Sequence, residues 1–395
     1  FVVSFVPSVV TPLVAAAYAS GDEEKVQKQV RDALWISVAI GATASLLLLA
    51  NPRRALGLAL PATAASEVWS QATKYLTIRA GCLVPAMVAF VGFAAFRGRL
   101  DVKTPLFITL FSQMMNVILD PILIFGMGLG VGGAALATAA AEITSATTYM
   151  IMLVKRGTLK LAVNPLSALK PPPVKSLVPL LTGGAGVLAR SVALNIAFLS
   201  VTRATQALDP SGAAAAAHTI AMQVWQLGGV VLFALSSVAA VLVPSAMNAP
   251  ASEGGGPARA KGVADRMLGW GACAGVVLAL LQLLALPLLN IFSPVKSIQE
   301  AARMPAMIGA ALQLLNGVTF VAEGIMQGHQ AFFPLARNAA IASGGLVLSL
   351  RTFGGTLPGV WCSFGVFNAI RFAGAARHHL VTGPLGSRAR AKAAH

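Results

Sequence analysis

Apolar residues in this chain come in long runs, separated by short polar stretches, and not in the alternating or striped patterns of a water-facing fold. A membrane-spanning helix needs ~20 mostly apolar residues. Runs of that kind lie near 1–19, 33–50, 75–96, 105–125 and 129–154, and then near 176–201, 213–247, 267–292, 304–327, 332–350 and 357–376. Gly, Ala and Pro occur freely inside them, as spanning helices tolerate when neighbours satisfy the backbone. Strand-type alternation over ~10 residues, the mark of an outer-membrane barrel, is absent. The pattern predicts an all-α polytopic membrane protein with eleven spans visible.

Composition agrees. Of 395 residues 56% are hydrophobic and 11% charged, against roughly 25% charged in a soluble domain. The net charge of +16, from 29 Lys+Arg and 13 Asp+Glu, would suit a nucleic-acid binder if the bases clustered on a soluble face. They sit instead in the short connections. About 19 of the 29 fall on one side of the predicted membrane and 7 on the other, with Arg79, Arg190 and Arg371 inside spans. That asymmetry marks the connection after the first span, the 155–175 segment and the 380–395 tail as cytoplasmic. An anionic-lipid site in the 155–175 connection is a further, weaker reading of its bases. Cys82, Cys273 and Cys362 are far apart and the five histidines are scattered or near the end, so no disulfide framework, metal site or haem motif is present. No signal peptide is visible before the first run.

The halves resemble one another at an offset of about 230 residues. Val30 and Asp32 match Val263 and Asp265. Phe96–Pro105 pairs with Met326–Pro334 at the cytoplasmic end of a span, and Gly130–Ala135 pairs loosely with Leu357–Trp361. The second half has six spans and the first five, so the repeat predicts two six-helix lobes whose first helix lies upstream of Phe1, with roughly 55 residues or more preceding it. The expected organisation is an N-lobe at 1–154, an inter-lobe connection at 155–175, a C-lobe at 176–379 and a basic tail at 380–395.

Several segments resemble the multidrug and toxic compound extrusion (MATE) family: Ala17–Leu34, Arg97–Leu106, Asn116–Phe125 with Leu129–Thr138, Ala216–Gln223 and Val366–Arg371. The likeness runs over the chain up to about Arg377. The NxxxDP stretch at Asn116–Pro121 is similar to the branch holding bacterial DNA-damage-inducible-F proteins and plant organic-acid exporters. The resemblance implies a twelve-helix secondary transporter with two lobes around a central cavity, expelling drugs, organic cations or carboxylates against inward H⁺ or Na⁺. Alternating access between two repeats about a midplane site is the mechanism of such architectures. A lipid-linked sugar flippase of the wider superfamily is the alternative, as is a non-functional piece lacking the first helix. No GxSxG or HExxH motif supports an intramembrane enzyme, and no filter repeat supports a channel. The expected partners are a small organic substrate and the bilayer, with no nucleic acid and no cofactor beyond the coupling ion. The chain is read as a monomer, in the plasma membrane or an organelle (plastid or vacuole) membrane.

Ionisable groups inside spans cost at least ~2.5–3.5 kcal/mol and are functional candidates by default. Asp120 comes first. It lies mid-span, one turn after Asn116 and beside Pro121, and a carboxylate in a low-dielectric cavity can load a proton near neutral pH. The resemblance implies that Asp120, Asn116 and Thr138 form the cation or proton site of the first lobe, completed by an aspartate on the first helix. The plainer reading is a buried Asp tied to polar neighbours at a kink. Glu142, one turn beyond Thr138, joins that network or makes a separate polar contact. The resemblance places Glu323 where carboxylates serve coupling or substrate contact. Arg190 stands where cation exporters often carry an acid, and its fork suits carboxylates; a structural Arg–Glu pair, with Glu323 as partner, is the other reading. Arg79 and Arg371 lie near span ends, where snorkelling explains them. Gln223, with Met222, Trp225 and Phe233, is placed on the cavity side of its span or in packing contacts.

Overall fold

The computed structural model describes residues 5–57, 66–159, 171–209 and 211–389. Helix is the only regular secondary structure among them. The long helices are α1 (Phe5–Ala19), α2 (Glu23–Ala50), α3 (Ser66–Gly81), α4 (Leu83–Gly98), α5 (Lys103–Pro121) and α6 (Val131–Lys155). They are followed by α7 (Val174–Ala207), α8 (Ala213–Asn248), α9 (Pro257–Leu284), α10 (Lys296–Gly328), α11 (Phe332–Phe353) and α12 (Leu357–Arg377). Helix ends follow local chemistry. Asp22 accepts the Lys25 N–H at 2.8 Å to open α2, Asp101 accepts the N–H groups of Lys103 and Thr104 ahead of α5, and Thr356 caps α12.

Each of the eleven expected spans falls on one of these helices, with two departures. The 75–96 run is a bent pair, α3 and α4, meeting at Cys82 with an angle of 50°. The 267–292 run stops as a helix at Leu284, where Pro287 leads into a 3₁₀ turn. By length and apolarity seven described helices can cross a membrane, eight if the bent pair counts as one: α2, α5, α7, α8, α9, α10 and α11. α1 is shorter, and α6 and α12 fall below that measure. Small and polar residues in α6, and Ser363, Asn368 and Arg371 in α12, reduce their apolarity; these two helices bury many of those residues. The 155–175 connection and the tail lie partly outside the described residues.

Two compact units form, Phe1–Leu181 and Thr182–His395, the division falling within α7. In the first, α4 packs on α1, α2 and α6; in the second, α10 packs on α8, α9 and α12. The central helix of each unit thus occupies the same place in the repeat. The match reaches single residues. Leu100 (φ 62°) and Gln330 (φ 59°) are the non-glycine residues with positive φ among those described, and they close the turns after α4 and α10. Two residues earlier, a Cβ on Gly98 would meet Val14 at 2.6 Å and one on Gly328 would meet Pro244 at 2.9 Å. Both glycines let the central helix touch its neighbour at the same level.

The closest crossing is in the second unit. Gly271 and Gly275 of α9 form a small-xxx-small face against Gly317 of α10, and a Cβ on Gly317 would run into the Gly271 carbonyl and meet Gly275 Cα at 2.9 Å. Beside it, Trp361, Phe364 and Phe367 of α12 pack with Trp225 of α8 in the core, Trp225 and Phe364 edge to face at 5.5 Å. Since backbone atoms cannot yield to a side chain, Gly317→Leu should cost roughly 1–3 kcal/mol or more and lower the thermal midpoint of the detergent-solubilised protein. Gly269→Leu, whose Cβ meets nothing within 4 Å, should leave the midpoint unchanged.

Candidate functional site

The first unit holds a cavity of about 330 Å³ between α1, α4, α5 and α6. One wall is aromatic, with Phe90, Phe93 and Tyr149; the other is polar, with Ser112, Gln113, Asn116, Thr138, Glu142 and Ser145. The sequence places these polar groups on one stripe of each helix: Ser112 and Asn116 are one turn apart on α5, as are Thr138 and Glu142 on α6. Across the gap the Asn116 amide donates to the Thr138 hydroxyl at 3.4 Å, and that hydroxyl donates to the Ala134 carbonyl at 3.0 Å.

Asp120 is placed one turn beyond Asn116, at the end of α5, and is outside the wall of this cavity. It is half-buried, and its enclosed Oδ1 has no hydrogen-bond partner among the described residues. Pro121 supplies no backbone N–H, and the helix passes directly into a π-helical turn at Ile122–Gly126, closed by Met127 N–H to the Ile122 carbonyl at 2.8 Å. Of the three residues expected together, Asn116 and Thr138 meet directly and Asp120 stands a turn away.

Glu142 does not join Thr138. Its carboxylate accepts both Nη groups of Arg79, at 2.7 and 2.6 Å, each side chain about a quarter exposed. Snorkelling is therefore the wrong account of Arg79. The last turn of α3, just before the bend at Cys82, carries its guanidinium to α6, where a planar fork meets a planar carboxylate.

In the second unit Glu323 is buried near the C-terminal end of α10 and takes two guanidinium groups. Arg371 of α12 donates Nε and Nη2, both at 2.9 Å, and Arg190 of α7 donates Nη2 at 2.5 Å. Snorkelling is wrong for Arg371 also. It is 5% exposed, its guanidinium carbon lies 5.3 Å from the ring centres of both Phe320 and Phe367, and Nη1 reaches Asn368 at 3.4 Å. Arg190 is a fifth exposed, and Glu323 is its hydrogen-bond partner among the described residues. Three formal charges thus sum to +1, with unspent N–H donors on the more exposed arginine.

Gln223 is exposed on α8, away from this knot, while Met222 and Trp225 are in the core and Phe233 faces outward. Sequence reasoning missed two buried glutamines that brace α8: Gln313 donates to the Trp225 carbonyl at 3.0 Å and Gln282 to the Val224 carbonyl at 2.9 Å. Their signal was an amide inside an apolar run, which in hydrocarbon needs a partner. No group of three or more His, Cys, Asp or Glu suited to a metal ion occurs among the described residues.

The family model MatE matches residues 1–122. Protein DETOXIFICATION 44, chloroplastic, of Arabidopsis thaliana is 29% identical over 79% of this chain and 58% of its own length. Protein DETOXIFICATION 45, chloroplastic, of the same plant is 28% identical over 88% of this chain and 60% of its own. The chain thus spans about three-fifths of these relatives. Among solved structures, the Vibrio cholerae MATE transporter VcmN in its bent form superposes with a TM-score of 0.81 at 16% identity, over 95% of this chain and 83% of that one; at that identity the likeness shows the fold. Its sequence relatives, its helical fold and its apolar helices together make this chain a multi-pass integral membrane protein that is similar, over residues 1–122, to the MatE family model.

Proposed function

We propose that this chain is the membrane-spanning body of a secondary transporter that expels an organic solute, drug-like or an organic acid, in exchange for H⁺ or Na⁺. The observation that carries the reading is the junction in the first unit: a carboxylate with an enclosed, unpartnered oxygen at Asp120, one turn from the Asn116–Thr138 pair in the wall of a cavity. Glu142 and Glu323 are already neutralised by arginines. Asp120 keeps lone pairs to offer a proton or a small cation. A cavity of about 330 Å³ with an aromatic wall and several hydroxyl and amide groups matches the mostly apolar, sparsely polar character of small-molecule sites.

The knot in the second unit favours an organic acid among the substrates. Glu323 is neutralised by Arg371 alone, so Arg190 adds a positive charge whose remaining donors suit a carboxylate.

Asp120→Asn in proteoliposomes should reduce pH-gradient-driven efflux to the leak rate while leaving substrate binding measurable; undiminished efflux removes Asp120 from coupling. Arg190→Ala should weaken transport of a tricarboxylate by at least about tenfold, the scale of a lost charged hydrogen bond, and leave cationic dyes unaffected. Equal losses for both substrates would assign Arg190 to packing alone.

A further inference from the structure

The turns at Leu100 and Gln330 repeat a backbone but not a chemistry. In the first unit the residue before the turn is Arg99. It donates to both oxygens of Glu23 at the start of α2, at 2.9 and 3.1 Å, and lies 5.0 Å from the Tyr18 ring centre. Arg99, Asp101 and Arg156, which follows α6, line one cavity of about 250 Å³. Burial raises the Asp101 carboxyl, but hydrogen bonds from Thr104 and the charge of Arg156 outweigh it and hold the group below the usual carboxylate range. The Gln27 side chain of α2 grips the Gly157 carbonyl at 2.9 Å. This corner is held by an ion pair and by hydrogen bonds to a carboxylate and a carbonyl.

In the second unit the residue before the turn is His329, and the segment after α12 brings His378 and His379 to it. That segment forms a π-helical turn at His378–Thr382, closed by the Gly383 N–H on the His378 carbonyl at 2.7 Å. It then sends Leu385, 3% exposed, into the core between Ala239, Val243 and Ala246 of α8, Ala260, Ala264 and Met267 of α9, and Val321 and Ile325 of α10. α9 grips the segment as α2 does in the first unit: Asp265 meets His379 Nε2 at 3.0 Å. His329 Nε2, His378 Nε2 and His379 Nδ1 are enclosed and have no hydrogen-bond partner among the described residues.

We propose that this corner is a pH-released latch: with its histidines uncharged, the segment 378–389 stays docked and closes the end of the second unit, and protonation expels it. An imidazolium has two N–H donors to satisfy, and the enclosed nitrogens offer no acceptor for the second. The charged groups around the cluster do not relieve this. α9 supplies Asp265, already bonded to Lys261 at 2.6 Å; α11 supplies Arg337, α12 Arg377, and the segment itself Arg388. α8 carries no ionisable side chain between 239 and 248. Burial, with His378 and His379 nearby, holds His329 down to about 4. Burial, with His379 and Arg337, lowers His378. A histidine lowered on docking favours the docked state above its free value, and that preference is lost as pH falls from ~6.5 towards the docked value. His329 and His378, both lowered, set the sign.

Hydrogen exchange of the Gly383 and Gly386 amides, corrected for intrinsic rate, reads the latch in the intact protein. Linkage at His329 alone predicts that protection falls about thirtyfold between pH 7.5 and pH 5, while Gly157 and Leu159 in the first unit keep theirs. His329→Asn with His378→Asn should abolish the fall. His329→Arg, which installs the chemistry of the first unit, should loosen the segment already at pH 7.5, and it decides the matter if the double variant does not fold. The proposal is overturned if wild-type protection at Gly383 and Gly386 is unchanged at pH 5, if Gly157 and Leu159 lose protection equally, if the double variant keeps the full pH response, or if the Arg variant stays docked.

Discussion

A charge enclosed among apolar helices has to be neutralised where it stands, and that requirement decides which helices are tied together. Desolvating an ion costs several kcal/mol, and removing one partner of a buried pair leaves the other stranded. Arg79 and Glu142 therefore bind α3 to α6 in the first unit. Glu323, with Arg371 and Arg190, binds α10 to α12 and α7 in the second. These links cross long stretches of chain, 63 residues for the first and 133 and 48 for the second. Hydrophobic packing, which is non-directional, would not choose these pairings. Asp120 is tied to no arginine in this way: its enclosed Oδ1 has no hydrogen-bond partner among the described residues.

Much of the fold was legible because hydrocarbon is an undemanding reader: it asks for runs of apolar residues and little else. The expected spans fall on helices, and the polar breaks between them are the turns. The Asn116–Thr138 contact was also within reach, since a recognisable motif places both residues. The roles of Arg79 and Arg371 were not. Proximity to a span end suggests an arginine reaching for water, but this is a one-dimensional clue, and the partners come from other helices. The bend at Cys82, which turns the last residues of α3 towards α6, did have a sequence signal: Pro85 has no N–H for the Gly81 carbonyl. The spans at α6 and α12 were read as ordinary membrane helices although their faces serve the interior of their units.

The duplicated architecture separates shape from chemistry unusually well. Gly98 and Gly328 hold the same close approach, and Leu100 and Gln330 the same positive φ, so the corner survives as backbone in both units. The side chains hung on it have diverged from arginine to histidine, from a group charged at every physiological pH to one that titrates. One unit therefore serves as an internal reference for the other, in the same molecule and under the same solvent.

The glycine crossing of α9 and α10 also bears on motion. With Gly271, Gly275 and Gly317 bringing two backbones into contact, no side chain lies between them to change rotamer and absorb a shear. Sliding one helix along the other would drive a carbonyl into an α-carbon, so the pair rotates or translates as a single strut. Any rearrangement in the second unit must then be taken up elsewhere, at the side-chain-lined contacts that α7, α11 and α12 make, where rotamers supply the slack.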